Sequence, residues 1–173
     1  MDKFIGALID LRKPLVAAVD GPAVGIGCST LGLFDVVLTS DQSSFWTPFS
    51  KIALVAEGCS SFTYPRLLGM QKASQMILFN KMLTPEQAYD WGFAHRVWPS
   101  HDDTFRKCLN EFEHVLSTGD LRPLGWYSLQ KRIPRDDHTR NQLHHVNEQE
   151  AIKLRQAWLN PEYRLYLKKF FDK

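Results

Sequence analysis

Two short apolar runs, Leu15-Val16-Ala17-Ala18-Val19 and Val36-Val37-Leu38, separated by a glycine loop, constrain the fold of this chain more than any other feature. Nearly continuous apolar runs with β-branched residues are the pattern of strands buried on both faces of a parallel sheet. Parallel neighbours need a crossover, and a helix beginning near Ile26 supplies it, so this stretch reads as a β-α-β unit. Between strand and helix, Gly21, Gly25 and Gly27 allow a tight reversal and close approach of backbone to a ligand. The first turn of the helix carries N–H groups with no intrahelical partner, and these suit an oxygen bearing negative charge. The loop lacks G-x-x-x-x-G-K-[ST], and its glycines do not fit G-x-G-x-x-G. A carbonyl-derived oxyanion therefore fits better than a nucleotide phosphate, although glycine at such a turn also serves packing alone.

With 173 residues the chain is the size of one domain, expected to span 1–173 with an α/β part over 1–100 and C-terminal helices over 101–173. Lys and Arg number 21 against 19 Asp and Glu, a net charge of +2 that offers no field for nucleic acid or an anionic membrane. The three cysteines, Cys28, Cys59 and Cys108, are odd in number and show no C-x-x-C, which argues for reduced thiols in an intracellular protein. No apolar run approaches the roughly eighteen residues of a membrane span, so no membrane insertion is expected, and no targeting signal is visible.

Along the chain, the apolar spacing of Phe4, Ile5, Leu8 and Ile9 predicts a helix over 3–12. Ser44 to Thr47 reads as a short strand, and Lys51 to Ala56 as an apolar loop ending at Glu57-Gly58. Cys59 to Tyr64 suggests a helix broken by Pro65, and Lys72 to Phe79 a second in which Met76 and Phe79 face the core. Thr84-Pro85-Glu86-Gln87 is a clear helix start, with a threonine N-cap, a proline in the first turn and Gln87 placed for a capping box. That helix ends at Gly92, and Phe93 to Trp98 alternates as a strand. Helices are expected at about 103–117, 121–132 and 138–158, with a last piece after Pro161. The aromatic stripe Trp158, Tyr163, Tyr166, Phe170 and Phe171 reads as core or subunit interface. His95, His101 and His114 are isolated and His144-His145 do not face a common ligand, so no metal site is expected. Lys168 and Lys169 read as a solvated helix face, with contact to a ligand's phosphates as the alternative.

From Lys13 through Cys28 the chain resembles the enoyl-CoA hydratase/isomerase, or crotonase, superfamily. The likeness continues through Leu31 to Ser40, Phe45-Trp46-Thr47-Pro48-Phe49, Glu57-Gly58-Cys59-Ser60-Ser61 and Leu83 to Gly92. Within it the chain is most similar to the peroxisomal-type delta-3,delta-2-enoyl-CoA isomerases and to the crotonase-like domain of chromodomain Y-like proteins. The resemblance implies an α/β fold of the ClpP/crotonase type, a ββα spiral with a helical C-terminal extension, here N-terminally truncated because the family's first strands would precede residue 1. It implies a homotrimer, an acyl-CoA thioester ligand, a place in fatty acid β-oxidation, and a peroxisome or mitochondrion as compartment. It implies no separate cofactor, since coenzyme A is part of the substrate.

Hydratases of the family use two carboxylates, and the matching places hold Ser29 and Phe49. Addition of water then lacks its acid and base. Glu57 stands where the isomerases carry their single base. By resemblance Glu57 would shuttle a proton from C2 to C4 of a 3-enoyl thioester, and the Ile26 N–H would hold the dienolate oxygen. Gly25, Pro48, Phe49 and Leu54 are expected to contact substrate. Phe49, Ile52, Leu54, Val55 and Phe62 are expected around Glu57, their desolvation outweighing the helix start that follows it and raising its pKa. The other oxyanion donor would precede residue 1, so the truncated chain is expected to be a feeble isomerase, loss of one such donor costing about 3–4 kcal/mol. The alternative is a non-catalytic acyl-CoA-binding or oligomerisation module of the chromodomain Y-like kind, although Glu57, where that group carries Asp, favours isomerase ancestry.

Overall fold

The computed structural model of the chain describes residues 2–100, 103, 106, 107, 110 and 125–172. Helix α1 (Asp2–Asp10) precedes strand β1 (Val16–Val19), which pairs in parallel with β3 (Val36–Ser40), Val16 opposite Val36. β3 in turn pairs in parallel with β5 (Arg96–Trp98), Leu38 opposite Arg96, giving the order β1-β3-β5. A second parallel pair joins β2 (Pro22–Val24) to β4 (Ser44–Trp46). β2 lies inside the glycine loop that the sequence presents as irregular. With proline at its first position and one buried residue, Ala23, between two exposed ones, it is too short to show a period.

Helix α2 begins at Ile26, as expected, and runs only to Ser29 before tightening into a 3₁₀ turn over Thr30–Leu33. Gly25, its N-cap, has φ 57°, a conformation that favours glycine. Helix α3 (Ser60–Leu68) runs through Pro65 rather than breaking there. Proline's fixed φ is helical and only one N–H is lost, while the Gly69 N–H closes the end on the Pro65 carbonyl at 3.0 Å. Helix α4 (Met70–Ile77) buries Met76 but stops short of Phe79, which is 76% exposed. The chain turns outward there as Asn80 takes a left-handed φ of 55°.

Helix α5 (Pro85–Asp90) has the expected capping box, Thr84 Oγ1 accepting from the Gln87 N–H and Gln87 Oε1 from the Thr84 N–H. The strand expected over 93–98 shortens to Arg96–Trp98. Phe93 and Ala94 instead donate their N–H groups to the Ala88 carbonyl and finish the end of α5, both side chains buried.

The larger core gathers Ala17, Leu31, Val37, Phe45, Tyr64, Met76, Leu83 and Phe93. Phe93 meets Tyr64 and Phe45 edge-on at 5.2 and 5.4 Å. The buried Tyr64 hydroxyl donates to the Cys28 carbonyl at 2.9 Å, tying α3 to α2. A second cluster, Ile5, Ile9, Leu33, Cys59 and Leu143, fastens α1 and the start of α3 to the C-terminal helices. Those helices are α6 (Gly125–Arg132), α7 (Asp137–Leu159) and α8 (Pro161–Phe171). Of the helix expected at 103–117 only residues 103, 106, 107 and 110 are described, the Lys107 N–H donating to the Asp103 carbonyl at 2.9 Å, while the start of that expected at 121–132, and Cys108, His101 and His114, lie outside the described residues. The C-terminal aromatic stripe is not core: Trp158 and Tyr166 are each 42% exposed and Phe171 75%, while Phe170 packs on Trp46.

Candidate active site

Glu57 ends the apolar loop, and two residues in unusual conformations follow it, Gly58 at φ 65° and Cys59 at φ 62°. This kink reverses the chain into α3 and leaves the Glu57 carbonyl accepting from the Ser60 N–H at 3.1 Å and Ser60 Oγ at 2.7 Å. Gly58 sits hard against α2. A Cβ there would lie 2.8 Å from Ser29 Oγ and 3.3 Å from the Thr30 nitrogen. Gly58 thereby fixes the turn that follows Glu57 against Ser29 and Thr30. Ile26 is half-buried, and its N–H has no acceptor among the described residues.

The Glu57 side chain is 9% exposed and lines a small cleft of about 170 Å³ with Ile5, Gly58, Asn147, Glu150, Leu154 and Trp158. Burial first, and the neighbouring Glu150 charge second, push its carboxyl up to about 7. The expected upward direction is present, but its setting differs from the one expected. Phe49, Leu54, Pro48, Gly25 and Ile26 do not line this cleft. Its outer wall is α7, and Val55 lines a neighbouring cleft on the far side of Glu150. Phe49 is 2% exposed and Pro48 is buried, so both are packed inside, whereas Leu54 is half-buried with its N–H on the Phe49 carbonyl. The places that would carry the two hydratase acids hold a fully buried Ser29, its Oγ turned to the Ile26 carbonyl, and the buried Phe49.

Glu150 is the residue that sequence reasoning missed. Its Oε2 accepts from the Cys59 N–H at 2.7 Å, and its Oε1 from the Ser61 N–H at 3.0 Å and Ser61 Oγ at 2.6 Å. It therefore occupies the N-terminus of α3, whose own N-cap Cys59 contributes no side-chain bond. One signal was present: Glu150 falls seven residues after Leu143 and four before Leu154, on the buried stripe of α7. Cys28 and Cys59 are free, buried thiols pushed up to about 12 by burial, and they pack rather than react. His144 bonds Asp10 across α1 and α7 at 2.8 Å, and among the described residues no three His, Cys, Asp or Glu come together to hold a metal ion. Lys168 and Lys169 are exposed on α8 and do not line the Glu57 cleft.

Parallel strands crossed by a glycine-loop helix, with a buried glutamate following an apolar loop, define an α/β protein of the crotonase fold. Residues 1–153 match the family model for enoyl-CoA hydratase/isomerase, and the chain belongs to that family. It is 41% identical over 160 residues to enoyl-CoA delta isomerase 2 of Rattus norvegicus, covering 92% of this chain and 39% of that protein. It is 36% identical to enoyl-CoA delta isomerase 3, peroxisomal, of Mus musculus, covering 97% of this chain and 51% of the relative. The enoyl-CoA hydratase/isomerase of Pseudoalteromonas atlantica superposes with a TM-score of 0.89 at 26% identity, over 98% of this chain and 66% of that one. The chain thus spans about two fifths to one half of the length of these curated relatives.

Proposed function

We propose that the chain carries the acid-base machinery of a delta-3,delta-2-enoyl-CoA isomerase acting on unsaturated fatty acyl-CoA. The observation that carries this reading is Glu57, a buried carboxyl that lines a cleft and is pushed up to about 7 by burial and the neighbouring Glu150 charge. A group that must take a proton and return it works best with a pKa near the operating pH. In a 3-enoyl thioester the C2–H bond is acidified by the carbonyl and by the adjacent alkene. Glu57 takes that proton, the C2–H electron pair enters the conjugated system, and charge collects on the thioester oxygen, where the Ile26 N–H stabilises it. The dienolate then receives the same proton at C4 from Glu57, leaving the double bond between C2 and C3.

A second carboxylate lines the cleft, yet hydration is disfavoured because both Glu150 oxygens are engaged by the first turn of α3. Glu150 is therefore not placed to activate water. Isomerase relatives at 36–41% identity support the same reading. It requires no separate cofactor, and the setting is fatty acid β-oxidation in a peroxisome or mitochondrion. Turnover of 3-enoyl-CoA to trans-2-enoyl-CoA tests it. Glu57→Gln is expected to lose at least about 10²-fold, the lower bound for removing a general acid-base, with acyl-CoA binding retained. Undiminished turnover in that variant overturns the assignment.

A further inference from the structure

The turn that presents Glu57 is held from a distance. Cys59, two residues after Glu57, takes up a left-handed conformation that its own side chain does not support with a cap. The group that completes the turn arrives from α7, ninety-one residues later: Glu150, 6% exposed, takes the Cys59 N–H, the Ser61 N–H and the Ser61 hydroxyl. Burial raises the Glu150 carboxyl overall, and these donors oppose that by favouring its ionised form. Glu150 and Glu57 then wall one small cleft.

We propose that Glu150 is the positioning residue of this site, fixing the Gly58-Cys59 turn and setting its negative charge against Glu57, which makes Glu57 the stronger base. The proposal rests on the reading of Glu57 as the base and adds how the fold tunes it. The upward displacement of Glu57, in which the Glu150 charge acts second to burial, agrees with this arrangement. Among the described residues, Arg135 acts electrostatically on the Cys59 thiol, whose N–H Glu150 accepts. Arg155 lines the cleft from α7, Lys153 lies beside Glu150, and His145 lines the cleft on its far side. The Cys59 thiol comes from α3, while α1 and α2 present the uncharged Ile5 and Ser29.

The test is a carbon-detected NMR titration of the side-chain carboxyls in the full chain labelled at glutamate, with Glu57→Gln and Glu150→Gln assigning the two resonances. In Glu150→Gln the Glu57 midpoint is expected to fall from about 7 by at least about half a unit. The acid limb of kcat/KM for 3-enoyl-CoA moves down with it, a change that loss of a helix cap alone does not produce. Coupling is reciprocal, so in the parent the Glu150 resonance shows a second inflection near 7 as Glu57 ionises, absent in Glu57→Gln, and this arm decides the matter if Glu150→Gln does not fold. A Glu57 midpoint that stays within about 0.2 unit in Glu150→Gln, or a Glu150 resonance without that second inflection, overturns the role of Glu150 while leaving Glu57 as base. Retained turnover in Glu57→Gln overturns the base and with it the catalytic meaning of the pair.

Discussion

Glu57 costs the folded chain stability once it ionises, and that cost has a defined pH window. Its ordinary carboxyl value of 4.5 rises to about 7 in the folded state. Between those values the native protein holds a proton that the unfolded chain has released, so stability falls as pH rises through the window. Below 4.5 both states are protonated and nothing is lost. At 1.36 kcal/mol per unit the full effect is at most about 3 kcal/mol. Glu57→Gln is therefore expected to unfold at a higher denaturant midpoint than the parent at pH 8, by about 1–3 kcal/mol, and to match it at pH 4. An equal difference at both values would mean that the gain comes from packing rather than ionisation. Glu57 was legible through the family resemblance, which puts the isomerase base at that position; from spacing alone an acid before a helix start reads as an exposed residue. Glu150 was not, because in a helix dense with Glu, Gln, His and Lys one further acid looks solvated; only its register with Leu143 and Leu154 marks it as inward.

Among the elements, the parallel strands were legible because their β-branched runs are short and continuous, and α5 because Thr84 and Gln87 write its start chemically. The errors fall where an element's end is decided by another element. Phe79 leaves the core because the chain turns out at Asn80, and Phe93 and Ala94 leave the strand to finish α5. Pro65 is tolerated in a helix anchored at its first turn by α7. The contact between the 3₁₀ turn and α3 is the tightest of these joints: a Cβ on Gly32 would clash with the Thr63 hydroxyl and lie 2.8 Å from Thr63 Cβ. Thr63 is β-branched and buried in a helix, so it cannot yield by rotation. Gly32→Ala is expected to destabilise by about 1–3 kcal/mol in urea, as overpacking does. The exposed cap provides the contrast, Thr84→Ala costing about 1 kcal/mol. An alanine at 32 that leaves the urea midpoint unchanged would show the turn and α3 able to separate without cost.

For the whole molecule, the apolar surface left in solvent bears on assembly. Leu78, Phe79 and Met82 are each more than half exposed around the end of α4, and Leu159, Leu165, Tyr166 and Phe171 are exposed along the C-terminal helices. Phe79, Leu159 and Phe171 expose 76, 84 and 75% of their surface, apolar area that association would bury. Charge does not oppose association, since the formal net value is only +2. We propose a homotrimer, the closed cyclic assembly that the family resemblance implies, with these segments contributing to its contacts. Sedimentation equilibrium from about 1 to 100 μM is expected to show a mass that rises with concentration toward three chains, and Leu159→Lys to shift it toward one if the C-terminal helices lie in the contact. A strict monomer across that range would overturn the trimer, and a trimer untouched by Leu159→Lys would move the contact away from α7.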